Sequence, residues 1–184
     1  MVKSDKHDNT FNLNRFISAQ EEVYDRVLKE LKNGEKRCSA VLGVSPMSDT
    51  EATASKLLRN FGANAPFKKR SHWMWYIFPQ LDGLAQSTTS KYYAIKSREE
   101  ALAYLNHPVL GSRLNECAKT LLDIEGKTVL QIFGYPDDLK LKSSMTLFSE
   151  VATDSVFVRV LDKYFQGEPD SKTTELLKLE KTDE

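Results

Sequence analysis

The chain of 184 residues has room for one domain with one core, and 28% charged beside 40% apolar residues suit a soluble globular protein better than a membrane-embedded or wholly disordered one. Its 26 Lys and Arg offset 26 Asp and Glu, so the basic excess with which nucleic-acid binders neutralise phosphate is missing, and no nucleic-acid partner is expected. No apolar run approaches the roughly 20 residues of a spanning helix, so no membrane association is expected, and two lone cysteines, Cys38 and Cys117, lack the Cys-x-x-Cys neighbours of a zinc site or a disulfide framework.

Residues 1–10 are polar and charged, with no apolar stretch behind them. They read as a disordered tail rather than a secretory signal, and together with the free thiols they suggest a reducing compartment, cytoplasm or nucleus. Leu13, Phe16, Ile17, Val23, Tyr24, Val27, Leu28 and Leu31 then recur at three-four spacing, the stripe of one long amphipathic helix. Asn33-Gly34 supplies its left-handed stop. Residues 38–69 are weakly patterned, small and loop-like, with Asp49 to Asn60 as a weak helix at best. From Ser71 to Leu84 the chain turns aromatic, and Phe78-Pro79 disfavours helix at residue 78, which suggests a short helix or extended piece ending in a buried loop near Pro79-Gln80.

The rest is punctuated by helix signals. Ser97 with Glu100 forms a capping box that opens a helix to about Asn106. Pro108 suits the first turn of the next, which buries Leu110, Leu114, Cys117, Leu121 and Leu122 and stops near Gly126. Gly111 suits close helix packing. Thr128 caps Val129–Phe133, closed by Gly134. Asp137 or Asp138 caps Leu139 to about Val151, Asp154 or Ser155 caps Val156–Phe165, and a last helix runs within Pro169 to Lys181. The expected fold is mainly α: a compact single multihelical domain of six to seven helices over residues 11–181, with one or two short strands in the aromatic block and a frayed tail at 182–184.

Four blocks carry a resemblance. They are Phe16-x-x-Ala19-Gln20-x-x-x-Tyr24, Ser71-His72-Trp73-Met74-Trp75-Tyr76-Ile77-Phe78-Pro79-Gln80-Leu81, His107-Pro108-Val109-Leu110-Gly111, and the run from Asp137 to Phe148 containing Lys142-Ser143-Ser144-Met145-Thr146. Together they resemble the bacterial and fungal family called domain of unknown function 1810, over residues from about 11 to 179. The resemblance implies a compact, mainly helical fold and no particular reaction. In that family Gly-x-Lys-Arg runs directly into Ser-His-Trp-Met-Trp. Here Gly34-Glu35-Lys36-Arg37 is followed by an insert, residues 38–69. It is either a surface-loop insertion, which folds tolerate because closure entropy grows only logarithmically, or a translated intron.

Polar residues set within the two most specific blocks are the site candidates. His72 is either a general acid or base or a core histidine that bonds a backbone carbonyl and orients its loop, and Asp138 is a second catalytic candidate. Lys140 joins them as a catalytic candidate, although Lys-x-x-Ser spacing with Ser143 is a weak sign of an activated nucleophile. Trp73 and Trp75 could stack on a flat ligand or simply fill the core. Gln80, a polar amide inside an apolar run, must either tie down its loop or read a ligand edge. Lys142, Ser143, Ser144 and Thr146 form a polar face suited to phosphate or carboxylate; the bland alternative is a capped helix with a surface Asp138–Lys142 pair at i, i+4. His7, His72 and His107 are too scattered for a metal site, and neither metal nor cofactor is expected.

Two functions follow. One is a small-ligand binder or enzyme whose pocket lies between the aromatic block and the Asp137–Phe148 helix, taking a flat, anionic, nucleotide-like molecule. The other is a non-catalytic interaction or structural module that exposes Trp73 or Trp75 to a partner.

Overall fold

The computed structural model describes residues 11–36 and 73–180. The predicted terminal tails, the insert at 38–69 and His72 lie outside the described residues. Within these bounds the chain forms ten helices: α1 (Asn14–Glu21), α2 (Tyr24–Lys32), α3 (Met74–Ile77), α4 (Thr88–Tyr92), α5 (Arg98–Asn106), α6 (Leu110–Asp123), α7 (Val129–Phe133), α8 (Asp137–Val151), α9 (Val156–Phe165) and α10 (Ser171–Glu180). The all-α expectation holds, and the count of six to seven was low. The stripe from Leu13 to Leu31 is two helices, broken where Val23 leaves helical geometry at φ −123°. The aromatic block contributes the single-turn α3. The expected strands reduce to one parallel bridge, Leu81 with Ile95. No helix among the described residues is long and apolar enough to cross a membrane.

Local chemistry sets most boundaries. Gly34 adopts φ +62°, and the backbone bonds Gly34 N–H to Leu31 O and Glu35 N–H to Glu30 O close α2 in a Schellman motif. Thr128 and Gln131 form the full reciprocal box at the start of α7. At α5 only half the predicted box exists: Ser97 accepts from Glu100 N–H, whereas the Glu100 carboxylate accepts from Lys96 N–H at 2.7 Å and from Arg15 at 2.6 Å. His107 caps the start of α6, its Nδ1 accepting from the backbone of Val109 and Leu110. A Cβ on Gly111 would stand 1.8 Å from the Leu105 carbonyl oxygen, so only glycine permits the α5–α6 elbow. At its other end α6 is closed by Lys163, whose ammonium donates to Leu121, Leu122 and Ile124 carbonyls.

The core is organised around α8. Residues 143–148 are buried without interruption, which a surface helix would not show, and α8 packs against α3, α5, α7, α9 and α10. Leu141, Met145 and Phe148 lie fully inside beside Trp73, Phe78, Tyr104 and Phe157, each such side chain stabilising the fold by about 1.5–3 kcal/mol through burial. Cys117 is buried as predicted, and loss of solvent pushes its thiol up to about 12. Gln20 joins α1 to the aromatic block by donating to the Tyr76 carbonyl at 2.7 Å and to the Tyr104 hydroxyl at 3.0 Å.

Candidate functional site

Two residues of the aromatic block, two positions apart on α3 and its cap, have different environments. Trp73 is fully buried. Its indole N–H donates to Glu30 at 3.0 Å, its ring packs edge-on against Phe133, and Lys36 stands 5.2 Å from the ring centre. No face of Trp73 remains for a ligand. Trp75 is half-buried and carries the Lys140 ammonium 4.0 Å over its ring, a cation–π contact. It also borders a recess of about 10 Å³ shared with Gln80, Gly83, Ser90, Tyr93 and Ala94.

Lys140 links that surface to a buried chain of charge. Its ammonium donates to Asp137 Oδ1 at 2.7 Å, while Lys36 donates to Asp137 Oδ2. The side chains of Lys36 and Asp137 are 3% and 7% exposed, that of Lys140 16%. Among the described residues, two ammonium groups thus share one carboxylate in a nearly dry setting. Burial pushes the Asp137 carboxyl up, but the hydrogen bonds from Lys140 and Lys36 outweigh it and hold the group below its usual value. Asp138 shows the reverse: burial raises its carboxyl against the opposing backbone bonds, and the charge of Asp137 adds to the rise.

Several expectations on α8 need correction. The helix is capped by Pro136, not by either aspartate. The predicted Asp138–Lys142 pair does not form; Lys142 turns toward Glu168 at 3.9 Å and Phe165. Ser143 and Thr146 donate to the carbonyls of Leu139 and Lys142, one turn back on their own helix. Thr146 also accepts from Asp170 N–H at 2.8 Å, so it docks the start of α10. These two hydroxyls and Trp73 are occupied by the fold.

Three other candidates are not. Gln80 Oε1, Asp138 Oδ1 and Ser144 Oγ are buried without a hydrogen-bond partner, half of the six such side-chain atoms among the described residues. Native structures keep few such atoms, and each asks for a reason. Ser144 stands four residues after Lys140 and seven after Asp137, on the same helical face. The structure therefore sets Trp75 and Gln80 around one recess and places Lys140, outside that lining, over the Trp75 ring, with Lys36 joined to Lys140 through Asp137. It sends Lys142 elsewhere. Sequence reasoning missed Lys36, whose only signal was its place in the Gly34-Glu35-Lys36-Arg37 block. Among the described residues, no three His, Cys, Asp or Glu side chains gather in a way that could hold a metal ion.

A second concavity of about 330 Å³ lies between the ends of α2 and α6, lined by Lys32, Asn33, Thr120, Asp123, Glu125 and Lys127 among others. It is larger, but its charges are mixed and solvated. Lys127 already donates to the carbonyls of Asn33 and Gly34, and no unpartnered buried atom belongs to its lining.

The family model described as "Protein of unknown function (DUF1810)" matches the chain in two stretches, residues 10–56 and 50–177. The fold is similar to the crystal structure of the conserved hypothetical protein Rv1873 from Mycobacterium tuberculosis. The two share 39% identity over 92% of this chain and 98% of that one, with a TM-score of 0.73. No curated protein matches the chain.

Proposed function

The chain belongs to the DUF1810 family of proteins of unknown function, and from that premise we propose that it binds a small, flat, anionic metabolite of nucleotide-like chemistry where Trp75, Gln80 and the first turns of α8 meet. The observation that supports this is that, among the described residues, Lys36 and Lys140 share the Asp137 carboxylate, and that Lys140 lies over the ring of Trp75, the tryptophan that is only partly buried. A folding role alone is served by a one-to-one pair; a partly exposed aromatic beside an ammonium that shares its carboxylate suits a ring bearing a negative group. In this proposal Trp75 supports the ring and Lys140 meets the anion. Lys36 and Asp137 hold Lys140 in place from behind. Asp138, whose carboxyl burial raises, is the group suited to proton transfer should the bound molecule react. Trp73, Ser143 and Thr146 are supports.

The full-length chain can be tested by thermal shift and tryptophan fluorescence against nucleotides and nicotinamide metabolites. Ligand at a hundred times its Kd adds about 2.7 kcal/mol, a rise of several degrees in Tm for a chain of this size. The fluorescence response should disappear in Trp75→Phe, because Trp73 is sealed. No stabilisation by any of these compounds at millimolar concentration would sink the proposal.

One observation favours the interaction module as a second reading. Leu130, Tyr135 and Leu139 are 50%, 75% and 49% exposed at the α7–α8 corner, an apolar cluster of the kind that marks protein contacts. Sedimentation of the full chain across a wide concentration range would detect self-association there, and Tyr135→Ser with Leu139→Ser should abolish it.

A further inference from the structure

The concavity between the ends of α2 and α6 has a volume of about 330 Å³, within the range of roughly 300 Å³ and more in which small molecules are held. Both helices finish there on carbonyl groups, the negative pole of the helix dipole. Those carbonyls are already answered by the fold. Lys127 donates to Asn33 and Gly34 at 3.2 and 3.0 Å, and Lys163 donates to Leu121, Leu122 and Ile124. Asn33, Gly34 and Lys127 all line the concavity, so the Lys127 ammonium is fixed at its wall. An ammonium has three N–H donors, and the two bonds to carbonyls leave one of them over.

Lys32, Asp123 and Glu125 line the same concavity. Their side chains are exposed, and among the described residues they pair neither with one another nor with Lys127. Ammonium and carboxylate groups therefore border one space without neutralising each other. An anion alone would be set against Asp123 and Glu125, and a cation alone against Lys32 and Lys127; like charges so juxtaposed cost affinity. A molecule carrying both charges meets neither penalty. Ile124 is the one large apolar residue among the described lining, so the guest is small and polar, not a flat ring. We infer that this concavity is a second binding site, for a small zwitterion of the amino-acid type, whose carboxylate is met by Lys127 and Lys32 and whose ammonium is met by Asp123 and Glu125. No residue lines both this concavity and the recess beside Trp75, so the inference stands apart from the site proposed above.

The test titrates isotope-labelled full-length protein with alanine, β-alanine and γ-aminobutyrate while backbone amide signals are followed by nuclear magnetic resonance. Signals of Gly34, Glu125 and Lys127 should move and saturate at millimolar concentration of at least one compound, and those of Gly83 and Ala94 beside Trp75 should stay in place. The N-acetyl derivative of the binding compound lacks the ammonium, and its carboxamide lacks the carboxylate. Each should bind about tenfold more weakly, the loss of one charge-assisted contact. In the double variant Asp123→Asn with Glu125→Gln, the preference over the N-acetyl derivative should collapse toward one while the preference over the carboxamide persists. Lys127→Met should do the reverse. Because Lys127 also closes α2, Lys32→Met, which breaks no bond among the described residues, repeats that comparison, and circular dichroism confirms that each variant folds. Movement of none of the three signals at millimolar concentration overturns the inference. Equal binding of the zwitterion and either derivative overturns it too, by showing that a single charge is recognised. Neither result touches the reading at Trp75, which its own signals report.

Discussion

The Arg15–Glu100 pair and the Lys36–Asp137–Lys140 chain are both drawn out of water, yet they are balanced differently. Arg15 and Glu100 are 7% and 2% exposed and meet at 2.6 Å, one charge against one. Arg15 also donates to the Ala94 carbonyl and lies over Phe16, and Glu100 uses its second oxygen on the Lys96 backbone. That pair joins α1 to α5 and asks for nothing further except at Arg15 Nε, which has no acceptor. In the second cluster one carboxylate serves two ammonium groups, and one of them reaches the rim over Trp75. Charge that only holds a fold together tends to be closed on itself, because an uncompensated buried ion is expensive. In the proposed function the second cluster is the one that meets the ligand's anion.

The largest expected effect breaks the second cluster at its centre. Asp137→Ala leaves two ammonium groups facing each other with no counter-charge, and losing one partner of a buried pair costs about 3–5 kcal/mol, a Tm lower by about 10 °C for a chain of this length. Adding Lys140→Met should restore part of that loss by removing one of the two stranded cations. Glu100→Ala should cost somewhat less, about 3 kcal/mol, because Arg15 keeps its carbonyl acceptors. Its effect should fall on stability alone, with ligand affinity at Trp75 unchanged in the folded protein. Equal loss of ligand binding in both variants would erase the distinction between the clusters.

Much of the scaffold was legible because helix ends are local chemistry. Gly34, the Thr128–Gln131 box, Gly134 and the bounds of α5 and α9 all follow from residues within a turn of the boundary. The break between α1 and α2 was not legible, because no Gly or Pro marks it and both helices bury the same stripe. The site was legible in its parts and not in its wiring. Gln80 and Ser144 stood out as polar residues in apolar runs, and both are unpartnered inside the fold. Lys36 gave no such signal: a lysine just after a helix stop looks solvated, and its burial depends on Asp137, 101 residues away. Likewise the spacing of Asp138 and Lys142 permits a pair, but the direction of Lys142 is set by Phe165 at the end of α9 and Glu168 just beyond it.

A gentler change separates binding from folding. Lys140→Met keeps the unbranched stem against Trp75 and leaves Lys36 and Asp137 in one-to-one balance, so stability should shift by no more than about 1 kcal/mol. Affinity for an anionic ligand should fall about tenfold, by the loss of one charge-assisted contact, and the remaining binding should be less sensitive to salt. If Lys140→Met instead unfolds the protein with ligand affinity intact in the folded fraction, the second cluster is structural like the first.

The smallest effect comes from Asp138, whose carboxyl is shifted in the direction opposite to that of its neighbour Asp137. Asp137 is held below its usual value, so the folded state releases its proton more readily than the unfolded chain. Its ionised form stabilises the fold above the ordinary carboxylate range near 3.9, and that contribution is lost as pH falls through the lower folded value. Asp138 is raised, so the folded state holds the proton more tightly. Its ionised form weakens the fold at neutral pH, and the penalty lifts as pH falls into the raised range. Asp138→Asn should therefore raise Tm slightly at neutral pH, by less than about 1 kcal/mol of stability because the group is partly solvated. The gain should vanish in acid, where the native aspartate is already protonated. Asp137→Asn should do the opposite, lowering Tm at neutral pH with the difference closing only in strong acid. Parallel melting curves of the two variants across pH test both signs at once, and a loss of stability at neutral pH in Asp138→Asn would mean that its charge serves the fold after all.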